Sequence, residues 1–278
     1  MAKVVSIIGV THNPLLAGMG NPGIPPDLVR VRERFAEQRA KLREAKPDVL
    51  LCVGNDHFNY LFMDNMPAFM VGKSPTAKGT TAWERRIGLP DYATSVNVEL
   101  AKNVIREGFK RRTDFAFSDE FVMDHAFTFP LTHLRPEADL PIVPIFCNVM
   151  APPIPTAERF YQVGETLRQI IEDLPGDLRV AALCSGHLSV EIGGPRPANP
   201  DKEFDDWAMA LVGQGRVKEA LEGLTFERFS RAGNYTAGFL TFVMQMGIAR
   251  GQPATFWECM SISAPTETRV PFLRWDLF

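Results

Sequence analysis

Two β-rich apolar runs, residues 4–10 and 49–53, bracket an amphipathic stretch at 26–45 whose apolar positions Leu28, Val31, Phe35 and Leu42 share one helical face. Strands joined by a helical crossover of this length pair in parallel, and parallel sheets occur with helices over both faces. This opening therefore predicts an α/β fold. Further strand signals fall at 68–71, 142–146 and 179–184, while 92–107 and 156–173 read as helices. From about residue 200 the pattern turns helical, at 202–212, 216–221, 226–231 and 239–246, and two last segments, 254–261 and 269–275, fit edge strands. The expectation is a central, mostly parallel or mixed sheet covered by helices on both faces, with a helical C-terminal part. No repeat, low-complexity tract or Gly/Ser linker divides the chain, so 1–278 reads as a single domain.

With 30 basic residues against 33 acidic ones and no Lys/Arg cluster, the chain offers no stripe for a phosphate backbone, which excludes nucleic acid as an expected partner. A small neutral or anionic metabolite fits better. No apolar run reaches the roughly 18 residues of a membrane span. The opening M-A-K-V-V-S-I-I-G-V lacks a cleavage-site pattern, so the expected location is cytoplasmic. Cys52, Cys147, Cys184 and Cys259 are far apart in apolar settings, as buried reduced thiols would be.

Chemistry is expected beyond the carboxyl ends of the strands, where loops converge polar groups on a pocket. Three of the five histidines fall there: His12 in G-V-T-H-N-P, His57 in V-G-N-D-H-F and His187 in L-C-S-G-H-L. His125, in V-M-D-H-A-F-T-F-P-L, stands at a loop-to-helix junction beside Asp124. One such histidine is ordinarily a hydrogen-bonded loop residue. Repetition at equivalent strand ends instead suits a divalent metal site or an acid–base site, with Asp56 as the carboxylate expected to orient a ring. His133, on a helical stretch without this context, reads as structural.

Taken in order, G-V-T-H-N-P-L, D-H-F-N-Y-L-F-M-D-N-M-P-A-F, M-D-H-A-F-T-F-P-L and S-G-H-L-S-V-E-I-G-G-P followed by F-D-D-W resemble the class III extradiol ring-cleavage dioxygenases. These are relatives of the catalytic subunit of protocatechuate 4,5-dioxygenase and of 2,3-dihydroxyphenylpropionate 1,2-dioxygenase. The resemblance runs from about residue 4 to 246. It implies a non-haem Fe(II) cofactor, a catechol-like substrate and dioxygen. His12 and His57 match the two iron histidines, and His125 matches the histidine that positions oxygen or donates a proton. Relatives commonly assemble as dimers or larger, some with a small helical partner subunit, so the resemblance also implies a homo-oligomer.

Two family residues are replaced. The iron glutamate is expected where R-A-G-N-Y-T-A-G-F-L-T-F places Ala237 and Gly238, and the base histidine where S-G-H-L-S-V-E-I places Val190. His187, three residues earlier, is the candidate for the base. The third ligand is left to water or to Glu191, Glu258 or Glu267. Three readings stay open: a divergent iron dioxygenase, a non-oxidative acid–base enzyme using His125 and His187, and a non-catalytic subunit. Persistence of His12, Asp56, His57 and His125 favours the first. Phe58, Tyr60, Phe62, Phe127 and Phe129 cluster around the motifs as a wall for a flat ring, and Arg196 is placed to meet a substrate carboxylate.

Overall fold

The computed structural model describes residues 1–194, 199–263 and 266–278. Its strands are β1 (Lys3–Thr11), β2 (Val49–Gly54), β3 (Phe69–Gly72), β4 (Thr76–Gly79), β5 (Tyr92–Ser95), β6 (Ala116–Ser118), β7 (Val122–Met123), β8 (Ile142–Cys147), β9 (Arg179–Gly186), β10 (Phe256–Ile262) and β11 (Thr268–Asp276). Eight of them form one sheet in the order β10-β11-β1-β9-β2-β8-β3-β6. The middle four, β1, β9, β2 and β8, are parallel, as the opening β-α-β pattern requires. The hairpin β10–β11 closes one side antiparallel to β1, and β3 runs antiparallel to β8 on the other.

Alternate side chains of the central strands feed two separate cores. Val49, Leu51 and Val53 face one, while Leu50 and Cys52 face the other, the period-2 signature of a strand covered on both sides. The first core is completed by α3 (Val98–Lys110), α5 (Ala157–Glu172), α6 (Lys202–Gly213), α8 (Phe226–Ala232) and α9 (Leu240–Ile248). The second is completed by α1 (Pro26–Glu44), with Leu28, Val31, Phe35 and Leu42 inward, and by α4 (His125–Leu134). Two short helices, α2 (Ala82–Arg86) and α7 (Val217–Gly223), lie at the periphery of this plan. The mixed sheet with helices on both faces and a helical stretch after residue 200 agrees with the sequence expectation.

The stretch 92–107, read as one helix, is a strand followed by a helix. Tyr92–Ser95 alternates buried and exposed side chains and pairs antiparallel with β4, and α3 begins only after Asn97, whose side chain accepts from the Leu100 N–H. β4 also pairs with β7, giving a small three-stranded sheet that sequence periodicity did not reveal because its strands are only two to four residues long. β4 approaches β7 so closely that a Cβ on Gly79 would collide with the Met123 carbonyl, so glycine is required there. This small sheet matters for function. One of its strands leads into α2 and another into α4, which brings Glu84 of α2 beside His125 at the start of α4.

Candidate metal and proton-transfer site

β1 and β9 are in register so that Thr11 lies opposite Gly186, and the next residue on each strand is a histidine. His12 and His187 therefore leave neighbouring parallel strands side by side, with ring centroids 4.0 Å apart. His57 arrives from the loop after β2, 5.2 Å from His12, and His125 opens α4 and stacks on His57 at 4.0 Å with rings inclined by 21°. The four histidines singled out in the sequence thus converge on one point. His133 does not join them. It lies on α4 against Phe35 and Phe129, as its structural reading required.

Each of two histidines is clamped by one carboxylate in the same way. Asp124 Oδ2 accepts from the His57 backbone N–H at 2.8 Å and from its ring Nδ1 at 2.7 Å. Glu84 Oε1 accepts from the His125 backbone N–H and Nδ1, both at 2.7 Å. Protons assigned to both Nδ1 atoms leave both Nε2 atoms as lone pairs, the arrangement by which carboxylates orient metal-binding or proton-accepting imidazoles. His12 reaches the same tautomer by a neutral route. The Ser185 hydroxyl donates to the Ala126 carbonyl, so its oxygen accepts from His12 Nδ1 at 3.1 Å, and His12 Nε2 is left buried without a partner.

Burial is the main force on the titration of these groups. It pushes the pKa values of His12, His125 and His187 below the ordinary histidine range, and neighbouring imidazoles push the same way. Burial would raise the Asp124 carboxyl, but His57, His125 and the Ala126 N–H outweigh it and hold the group well below the usual carboxylate range. Glu84 is likewise held low by His125 and by the Thr81 N–H despite burial. The result at neutral pH is two charged carboxylates beside neutral imidazoles at His12, His125 and His187, the protonation state that metal binding needs.

The sequence assigned the orienting role to Asp56. The structure gives it to Asp124, because Asp56 is occupied with the turn after His57, accepting from the backbone N–H groups of Asn59, Tyr60 and Leu61. The expected aromatic wall also lies elsewhere. Phe127 is buried against Phe121 and Gly54, Phe129 is fully buried, and Tyr60 and Phe62 are exposed. Phe58 takes a left-handed backbone in the loop and does not reach the cavity. The cavity over the histidines, about 420 Å³, is instead walled by Pro14, Leu15, Trp83, Val190, Ile192 and Tyr235. Arg196 lies outside the described residues. Val190, at the expected base position, contributes only an apolar side chain to this wall, and its backbone carbonyl accepts from Tyr235 N–H.

Glu84 was not found by sequence reasoning. Its signal was the capping box of Thr81 and Glu84, in which Glu84 Oε2 accepts from the Thr81 N–H, but that pattern announces a helix start and says nothing of His125. The four cysteines are free, with Cys52, Cys147 and Cys184 buried in the sheet.

His133 provides an independent pH test. Burial lowers its pKa to about 4, so below about 6.5 the unfolded chain takes up a proton that the native state excludes. Its effect is absent above that range, and native stability falls by up to about 1.4 kcal/mol per pH unit between the two values. In urea titrations at pH 7.5, 6 and 5, a His133→Leu chain is therefore expected to lose less stability on acidification than the wild type. Parallel pH dependences would refute the assignment.

Among the described residues no helix is long and apolar enough to cross a membrane. By overall shape the chain is similar to an uncharacterized protein, JW3007, from Escherichia coli K12, with a TM-score of 0.61 and 15% identity over 98% of this chain and 99% of that one. Curated relatives include the 2,3-dihydroxyphenylpropionate/2,3-dihydroxicinnamic acid 1,2-dioxygenases of Photorhabdus laumondii, 32% identical over 78% of this chain, and of Comamonas testosteroni, 33% identical over 70%. The matched regions span 65% and 59% of those proteins' own length, so the chain covers less than two thirds of either. Residues 6–269 match the family described as the catalytic LigB subunit of aromatic ring-opening dioxygenase. Strand-end histidines, a sheet of this order and a match across nearly the whole chain lead to one conclusion: this protein belongs to the LigB family of aromatic ring-opening dioxygenases.

Proposed function

We propose that the chain is a single-domain, Fe(II)-dependent extradiol dioxygenase that opens a catechol-like ring with dioxygen. The observation that carries this reading, beside family membership, is the fit of the donor set: His12 Nε2 is buried without a partner, and one nitrogen each of His12, His57 and His187 lie within 4.8 Å of one another. Neutral imidazoles suit iron as they suit zinc, copper and nickel, and ring opening with dioxygen, the family's chemistry, favours the redox-active iron. His12 and His57 would hold ferrous iron, which would supply Lewis acidity toward a catechol and redox coupling between the ring and oxygen.

The protein's own groups do the rest. Ser185 and Asp124 fix the tautomers of His12 and His57 so that both Nε2 atoms keep a lone pair; that of His12 has no partner, and that of His57 accepts from Asn55 Nδ2 at 3.2 Å, a contact a metal would displace. Pro14, Leu15 and Trp83 hold a flat ring and exclude water from the cavity. His125 presents its Nε2 there and accepts a hydroxyl proton, because Glu84 behind Nδ1 stabilises the imidazolium that forms. The resemblance places the base at Val190 and leaves His187, three residues earlier, as the candidate to replace it, but among the described residues no hydrogen bond fixes the His187 ring or would stabilise its cation.

The test is anaerobic purification, reconstitution with ferrous iron, and oxygen uptake with a catechol panel that includes 2,3-dihydroxyphenylpropionate. The expected result is one oxygen consumed per ring opened, dependent on iron. Proton exchange or isomerisation of the same compounds without metal or oxygen would favour the acid–base alternative instead.

A further inference from the structure

We infer that His187 is the third protein ligand of the metal, so that the ion is held by three neutral imidazoles, His12, His57 and His187. This rests on the reading that the cluster binds a metal and adds which side chains complete it.

Geometry separates His187 from His125. His125 is stacked on His57, and in-plane lone pairs of two nearly parallel rings 4.0 Å apart run side by side. They do not converge at the roughly 2.1 Å that a metal–imidazole bond needs. His187 stands edge-on to both other rings, inclined by 70° to His12 and 73° to His57, so three lone pairs can meet. Its ring is nine-tenths buried, faces the cavity and has no hydrogen-bond partner among the described residues.

Space points the same way. A Cβ built on Gly238 would sit 3.3 Å from His187 Cδ2 and 3.4 Å from its Cβ and backbone N. A long side chain at 238 and the ring at 187 would therefore crowd the same side of the cluster. Glycine at 238 and histidine at 187 are a matched pair, and the ring takes the place a carboxylate there would have used.

The available carboxylates are committed elsewhere. Glu267 pairs with Lys202 at 2.6 Å, and Glu258 accepts from Arg34 on α1. Asp205 holds Ser189 through its backbone N–H and hydroxyl. Glu191 lies against Gly194, and among the described residues no carboxylate joins the three histidines. A neutral ligand set leaves both positive charges on the ion, so the substrate that binds best is a chelator carrying its own negative charge, such as an enediolate.

Cobalt(II) serves as the probe, read by chelator competition and by its visible spectrum, on metal-stripped wild type, His187→Ala, His187→Gln and the double variant His187→Gly with Gly238→Glu. Wild type is expected to bind one equivalent, the two single variants to bind about 100-fold more weakly or worse with altered spectra, and the double variant to recover binding. His187→Gln keeps most of the volume, and its thermal unfolding in chelator guards against reading misfolding as ligand loss. Wild-type affinity and spectrum in both single variants would overturn the ligand assignment while leaving the metal site standing. A wild type that binds no metal would overturn it together with the proposed function.

Discussion

A His57→Ala chain is expected to lose stoichiometric iron and at least 1,000-fold in ring-cleaving turnover, about 4 kcal/mol of activation free energy. His57 carries this effect because it belongs to both groupings at the site: its nitrogens lie within reach of His12 and His187 on one side and of Asp124 and His125 on the other. Removing its ring deletes one of the proposed ligands, leaves the Asp124 carboxylate without its imidazole partner, and takes away the surface on which His125 stacks. His125→Ala provides the contrast. It leaves the proposed metal-binding set intact and removes the proposed proton acceptor, so turnover is expected to fall 100- to 10,000-fold with iron content unchanged. Iron by elemental analysis and oxygen uptake on the same samples distinguish the two. Full iron and full turnover in His57→Ala would sink the site as described.

The positions of His12, His57 and His187 were legible because the signal is local: a run of apolar residues ends, and a histidine follows within three residues. Parallel strands then do the work of bringing such ends together, so three independent local readings become one cluster. The partners of those histidines were not legible. Asp124 is 67 residues from His57, and Glu84 is 41 from His125, distances at which no periodicity or motif connects a donor to its acceptor. Asp56 was chosen for proximity in sequence, but the side chain next to a turn is the one best placed to satisfy that turn's own N–H groups.

The aromatic wall failed for a related reason. Phe58, Tyr60 and Phe62 follow His57 directly, yet the loop carries them away from the cavity, and the ring that does line it, Trp83, comes from α2. That helix is held in place by the small sheet, whose strands were too short to read. Strand periodicity thus located the scaffold, whereas the second set of contacts, which sets tautomers and shapes the cavity, depends on tertiary pairing.

Asp124 concentrates these contacts, and its replacement separates folding from metal chemistry. The carboxylate is fully buried and caps α4 through the Ala126 N–H, while its other oxygen takes the His57 N–H, His57 Nδ1 and Asn59 Nδ2. Asp124→Ala leaves several buried donors unpaired, and the expected loss is about 3–5 kcal/mol of unfolding free energy. Asp124→Asn keeps one carbonyl oxygen for the helix cap and should fold better, by denaturant titration, than the alanine variant. Its amide nitrogen, however, meets two donors at His57, the backbone N–H and Nδ1–H. The ring can relieve that clash only by moving its proton to Nε2, which removes the lone pair the metal needs. The asparagine variant is therefore expected to be the more stable of the two and yet to bind cobalt(II) or iron at least 10- to 100-fold more weakly than wild type. Wild-type metal affinity in Asp124→Asn would show that His57 binds through the other nitrogen, or that it does not bind at all.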